Sequence, residues 1–167
     1  QGCENYKLKN PRLRTSFNLN WKFSQDFDKS FYLVDFDDSE WRNLDLPHDW
    51  AIEGPFDKEV SYKGGYLPYP GKGWYRKSFF VPSGTNNMTI EFDGIMRNSK
   101  IWLNGNYIGG WPYGYTSFAL DITDKIKRGG DNLIAVSVEN QDNSSRWYPG
   151  SGIYRNVWLI QTHPLHV

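Results

Sequence analysis

The chain has one cysteine, Cys3, among 167 residues, so it can form no internal disulfide and has no thiolate set for a structural zinc site. No apolar run approaches the roughly 20 residues a membrane-spanning helix requires, so no membrane-spanning segment is expected. Net charge is absent too: 19 acidic residues balance 19 basic ones, leaving no field to attract nucleic acid or an anionic lipid surface. The sequence contains no Gly-x-Ser-x-Gly, no histidine cluster at metal-ligand spacing and no glycine-rich phosphate loop opening a helix, so no cofactor and no metal are expected. Helical periodicity is almost missing. What remains is a chain of ordinary single-domain length that can bury a core without covalent staples.

Aromatic residues are what the chain has in excess. They make up 17% of it, with 8 Trp and 11 Tyr, and each offers a flat apolar face with a polar edge. Such faces stack on bases, on sugars or on one another. With charge balanced, a sugar is the favoured ligand, and filling the core of a β-sandwich is the alternative use of the same residues.

Short alternating segments recur between turn signals. Arg14–Asn18 and Trp21–Phe23 are β-prone, residues 24–39 are acidic and irregular, and Trp41–Leu46 alternates until Pro47 stops it. Residues 51–73 are rich in Gly, Pro and Tyr without a period, with Tyr66–Gly71 as a proline-stiffened tip. Strands then follow closely: Trp74–Val81, Met88–Phe92 with Met88, Ile90 and Phe92 on one face, and Ser99–Leu103. Asn104-Gly105 is a strong hairpin signal, with Tyr107–Gly109 returning from it. Ser117–Asp121 is a further strand, Ile122–Ile126 suits one helical turn, and Gly129-Gly130-Asp131 reverses the chain. Residues 132–139 are apolar on nearly both faces, as expected of a strand inside a stack of sheets. The pattern predicts an all-β fold, a two-sheet antiparallel β-sandwich.

The richest loop precedes the last strand. In Ser144–Leu159 the first half carries Arg146, Trp147, Tyr148, Pro149, Gly150 and Gly152, whereas residues from Tyr154 onward alternate as a strand. A loop held by a firm strand is a usual place for binding groups; the other reading is an arch whose aromatics cap the core. His48-Asp49 sets an imidazole beside a carboxylate, but strand neighbours point in opposite directions, which favours a structural role. Paired carboxylates for glycoside hydrolysis are not excluded by number. None, however, has an apolar strand-end setting that would raise a carboxyl pKa. Asp93 and Asp121 are expected to bond backbone, and Glu91 to face solvent. Taken alone the residues describe a binding or scaffold module.

Five motifs in order, Pro47-His48-Asp49-Trp50, Gly73-Trp74-Tyr75-Arg76, Phe92-Asp93-Gly94, Ile101-Trp102-Leu103-Asn104-Gly105 and Ser151-Gly152-Ile153-Tyr154-Arg155-Asn156-Val157, resemble the sugar-binding domain of glycoside hydrolase family 2. That is the family of β-galactosidases, β-glucuronidases and β-mannosidases. The resemblance implies a jelly-roll sandwich of the galactose-binding type over residues 14–160. It implies a disordered or extended lead-in at 1–13 and a linker at 161–167 to an immunoglobulin-like domain. Beyond that it implies a TIM barrel with a pair of catalytic glutamates. The parent would be a retaining, β-galactosidase-like exo-glycosidase, with this domain inactive alone and lending loop residues to the sugar subsite.

Familiar members of the family carry a carboxylate where this sequence has Arg146, nine places before Arg155. A guanidinium offers donors in a planar fork and suits a carboxylate or sulfate, either on a substrate or on the barrel. Met96 stands where the galactosidase pattern has an asparagine, with Arg97 and Asn98 next to it. The candidate substrate-binding residues are therefore Arg146, Trp147, Arg97 and Asn98. Two other readings stay open. One is a free-standing carbohydrate-binding module using Trp111, Tyr113 and Tyr115; the other is a structural interaction domain. Gly2-Cys3 resembles the mature edge of a bacterial lipoprotein, which would place the protein in the periplasm or on the cell surface, while an ordinary free thiol fits as well.

Overall fold

A computed structural model describes residues 12–55, 59, 71–84, 86–141 and 150–164. Two antiparallel sheets face each other. The smaller has the order β1 (Arg12–Ser16), β10 (Val157–Thr162), β5 (Asn87–Phe92), β8 (Phe118–Asp121). The larger has the order β3 (Arg42–Leu44), β2 (Trp21–Ser24), β4 (Gly71–Val81), β9 (Gly130–Asn140), β6 (Ser99–Leu103), β7 (Asn106–Trp111). Late strands insert between early ones in both sheets, β10 between β1 and β5 and β9 between β4 and β6. This is the expected all-β sandwich of jelly-roll type. Its limits differ slightly from the expected 14–160, because Arg12 pairs with Thr162 across β1 and β10. Cys3 and Tyr66–Pro70 lie outside the described residues.

Alternation places the core as the sequence reads. Met88, Ile90 and Phe92 point inward from β5 of the smaller sheet, and Ile134, Val136 and Val138 from β9 of the larger, with Trp21, Phe23 and Tyr75 beside them on the same sheet. Each such large side chain contributes about 1.5–3 kcal/mol on burial. Asn104 and Gly105 both take positive φ, 50° and 80°, as a two-residue hairpin turn demands. The expected helical turn at 122–126 is a hydrogen-bonded turn closed by Ile126 N–H on the Ile122 carbonyl at 3.1 Å. The expected strand at 41–46 shortens to β3, because Leu46 leaves the ladder to pack in the core and bond the Asn18 carbonyl at 2.9 Å.

Residues 25–41 form no strand, yet they are fixed. They lie over the outer face of the larger sheet, where Phe31, Trp74 and Ala135 are buried against Tyr32, Phe36, Trp41 and Trp102. Arg76 projects from β4 into this layer, 2% exposed. Its guanidinium donates to the carbonyls of Phe31 (2.5 Å), Leu33 (2.9 Å) and Phe36 (3.2 Å) and to Asp38 Oδ2 (2.6 Å). Three carbonyls of a strandless loop thus find donors on one side chain, which satisfies the need of buried backbone groups for partners. Burial is the largest single effect on the Asp38 carboxyl and pushes it up, but the bonds and charges of Lys22 and Arg76 together outweigh it and hold the carboxyl below its ordinary range.

Replacing Arg76 by Leu keeps most of the volume, strands three carbonyls and leaves the Asp38 carboxylate with Lys22 as its one remaining cation among the described residues. Urea denaturation of Arg76→Leu is expected to show a loss of about 3 kcal/mol or more; a loss under about 1 kcal/mol would mean the loop is held by its aromatics alone.

Candidate functional site

The loop before β10 is anchored at its C-terminal root. Gly150–Ile153 runs extended between two other segments and bonds to both. On one side His48 N–H donates to the Ile153 carbonyl at 2.9 Å and Trp50 N–H to the Ser151 carbonyl at 3.0 Å. On the other, Met96 and Gly152 exchange both backbone bonds at 2.9 Å. Asp49 ties the pieces together: its Oδ1 accepts from Ser151 N–H (2.8 Å) and from Ala51 N–H (2.9 Å), where it caps the single 3₁₀ turn Trp50–Glu53. Gly152 sits at φ 125°, and a Cβ there would meet the Tyr75 hydroxyl and lie 2.7 Å from the His48 carbonyl. No other residue fits.

His48 and Asp49 point apart, as alternation requires, so they form no acid/base pair. His48 is 7% exposed, with Nδ1 2.7 Å from the Tyr75 hydroxyl and Nε2 3.2 Å from Glu53 Oε1. Burial lowers its pKa, against the partly opposing charge of Glu53. A neutral ring then accepts from the tyrosine at Nδ1 and donates to the glutamate at Nε2. Burial also raises Tyr75 well above the usual phenol range, and Arg42 holds Glu53 below the usual carboxyl range through bonds of 2.6 and 2.7 Å. One expectation is corrected here. Asp49 does occupy a setting that raises a carboxyl pKa, by burial, although its two backbone N–H partners act in the opposite direction. Those bonds mark it as a backbone clamp.

Of the sequence-derived site residues, Arg146 and Trp147 lie outside the described residues, within 142–149. The flanks of that segment are placed. Asn140 Nδ2, at the end of β9, donates to the Gly150 carbonyl and to Ser151 Oγ, both at 2.9 Å, closing the base of the loop. Arg97 and Asn98 follow Met96 on the adjacent loop, both half-buried. The Arg97 carbonyl accepts Glu139 N–H at 3.0 Å, and Asn98 Nδ2 reaches the Glu139 carbonyl at 3.2 Å. The backbone bond between Met96 and Gly152 therefore sets the Met96–Asn98 loop beside the C-terminal flank of 142–149.

Beside that edge lies an open basin of about 650 Å³ bordered by Pro47, Asp93, Tyr115, Tyr154 and Arg155. Tyr154 donates to the Gly114 carbonyl at 2.8 Å and packs over Gly94, where a Cβ would come within 3.0 Å of the ring. The sequence offers Tyr154 as the start of the last strand and as part of the Ser151–Val157 motif; the strand begins three residues later, at Val157, and leaves Tyr154 on the basin. Asp93 accepts from the Trp158 indole at 2.9 Å where backbone bonds were expected, whereas Asp121 does bond backbone, at Thr123. Glu91 faces outward but is paired with Arg14 at 2.6 Å. Trp111 stacks on Phe118 with ring centres 5.7 Å apart and donates to Thr116, so one of its faces is already used. Tyr113 is 52% exposed.

The profile described as "Glycosyl hydrolases family 2, sugar binding domain" matches residues 15–164. A β-galactosidase of Bacteroides ovatus, BoGH2A, is 46% identical over 99% of this chain and 20% of its own length. A β-glucuronidase of Formosa agariphila is 30% identical over 93% of this chain and 18% of its own. The crystal structure of a glycosyl hydrolase family 2 member from Bacteroides cellulosilyticus superposes with a TM-score of 0.87 at 41% identity, covering 92% of this chain and 21% of that one. The chain thus spans about one fifth of the length of the relatives it matches.

Two outcomes follow from the clamp. Gly152→Ala is expected to lower stability by more than about 1 kcal/mol, read by thermal or urea unfolding, because the backbone is closed to alanine and the space is occupied. For His48 the folded pKa lies below the ordinary 6.5, so in acid the unfolded chain takes up a proton that the folded chain refuses. Stability attached to the neutral ring is present above about pH 6.5 and is lost as pH falls through the lower folded value. The fall in Tm between about pH 7 and pH 5.5 should shrink in His48→Gln; an unchanged fall would show that His48 is not its source.

Proposed function

Because the chain belongs to glycosyl hydrolase family 2, as its sugar-binding domain, we propose that it serves a longer, β-galactosidase-like retaining exo-glycosidase as a non-catalytic N-terminal domain. Immunoglobulin-like and TIM-barrel domains of the same protein are its partners, and the barrel carries the hydrolytic carboxylates. The domain's part is to hold loop residues at the rim of the sugar subsite. The observation that supports this is the closed base of the 142–149 loop, where Asp49 and Asn140 fix Gly150 and Ser151 beside the Met96–Asn98 loop. Flanks so rooted suit a segment that offers Arg146 and Trp147 to a sugar beside Arg97 and Asn98.

Arg146 is the residue that sets the substrate class. A guanidinium in place of an acceptor favours a sugar bearing a carboxylate or sulfate, and two kinds of relative, named a β-galactosidase and a β-glucuronidase, differ in that respect. The free-standing module reading has less support, since Trp111 spends one face on Phe118.

In the full-length protein Arg146→Ala is expected to lower kcat/KM on the best glycoside about 10- to 100-fold, the worth of a charge-assisted hydrogen bond, with Tm unchanged. Unchanged activity on every glycoside tested would end this reading. A fall in Tm at constant kcat/KM would assign Arg146 to the contact with the barrel.

A further inference from the structure

A groove of about 430 Å³ lies on the outer face of the larger sheet, away from the sandwich core. Its form comes from strand register. The central strand β9 carries small residues outward, Ala135 and Ser137, between large ones on its neighbours. Ser137 stands opposite Trp74 of β4 and Lys100 of β6, and Glu139 stands opposite Lys72. A trough therefore runs along β9 with an aromatic wall. Tyr32, Trp102 and Trp74 stack in series, with ring centres 5.4 and 5.1 Å apart. Packing alone fixes the Trp74 ring, because its buried Nε1–H has no acceptor among the described residues.

The rim is basic. Lys29, Lys72 and Lys100 border the trough with one carboxylate, Glu139. Glu139 lies 3.7 Å from Lys72, and Lys29 and Lys100 have no ion pair among the described residues. At the mouth Phe27 is 55% exposed, its ring under the Lys72 ammonium at 4.1 Å. Amphipathic ring edges of Tyr32 and Trp102 along the wall, a hydroxyl on the floor and uncompensated ammonium groups on the rim suit a sugar chain with negative charge. Nucleic acid would share the contacts with the rings, but the chain as a whole carries no net charge to draw a polyphosphate. The trough also ends at Asn98 and Glu139, whose backbone bonds lead directly into the edge bearing the Met96–Asn98 loop.

We propose that this groove is a second glycan site, meeting the loop edge at Asn98, which takes an anionic oligosaccharide by packing it against the open ring edges of Tyr32 and Trp102 and pairing its acid groups with Lys29 and Lys100. The acid group can be a carboxylate or a sulfate, and the test separates them. The full-length protein is titrated calorimetrically with tetragalacturonate, with a sulfated galactotetraose and with neutral galactotetraose.

At least one anionic chain should bind saturably and at least tenfold more tightly than the neutral one, and added salt should weaken it. The double variant Lys29→Glu, Lys100→Glu should lose at least tenfold in that affinity, and Trp102→Ala likewise. Hydrolysis of a small nitrophenyl glycoside should stay unchanged in both. Circular dichroism confirms that each variant is folded. Equal affinity for the neutral chain, unaltered affinity in the double variant, no saturable binding of any chain, or tighter binding of an oligothymidylate would each overturn the proposal. So would loss of nitrophenyl glycoside hydrolysis in a folded double variant, which would place the lysines in the reaction site. Failure of the loop-edge reading shows in the hydrolysis of Arg146→Ala and leaves these affinities untouched.

Discussion

The structure depends most on the contact made where Gly152 passes between the His48 carbonyl and the Tyr75 hydroxyl. There a segment with no strand of its own is paired on both flanks, to residues 48–50 and to Met96. The close approach needs a residue without a Cβ, and the buried tyrosine and histidine that line it need each other as hydrogen-bond partners. From this contact three loops take their positions: the 3₁₀ turn at 50–53, the 93–98 loop and the base of 142–149. Whatever binds at this edge is held by backbone bonds, and the side chains of the edge are left for recognition.

Strand β9 divides the molecule. Its inward residues, Ile134, Val136 and Val138, are buried between the sheets. On its outward side Leu133 and Ala135 are buried as well, whereas Ser137 and Glu139 are open. Residues 25–41 cover Ala135, where Phe31 packs and where Arg76 binds the carbonyls of Phe31, Leu33 and Phe36.

The fold was legible because its signals are local and redundant. Period-two alternation set the inward faces of β5 and β9, Asn104-Gly105 set a hairpin, and the near absence of helical periodicity set the class. Less legible were features that join distant residues. Residues 24–39 carry Phe27, Phe31, Tyr32 and Phe36 at no period, since their order comes from an arginine about forty residues away and not from a ladder. The raised Asp49 carboxyl was missed for a similar reason. Its burial is made by Gly150 and Ser151, about a hundred residues on, and nothing beside Asp49 in the sequence announces them. The motif Ser151–Val157 named the edge, but its chemistry reads from the chain only as far as the flanks of 142–149.

The edge and the groove also differ in what a substitution can reach. The described groups that form the clamp are backbone groups and buried or half-buried side chains bonded to one another, so their mutation disturbs the fold before it disturbs a ligand. Lys29 and Lys100 stand on strand and loop positions that carry no bond to the clamp, and Trp102 is only half-buried. Surface charge can thus change at the groove while the sandwich stays intact, and hydrophobic stacking there is tuned by residues on β4 and β6 that the core does not use. A domain arranged in this way can keep one edge constant for a shared reaction while the outer face varies with the glycan it meets.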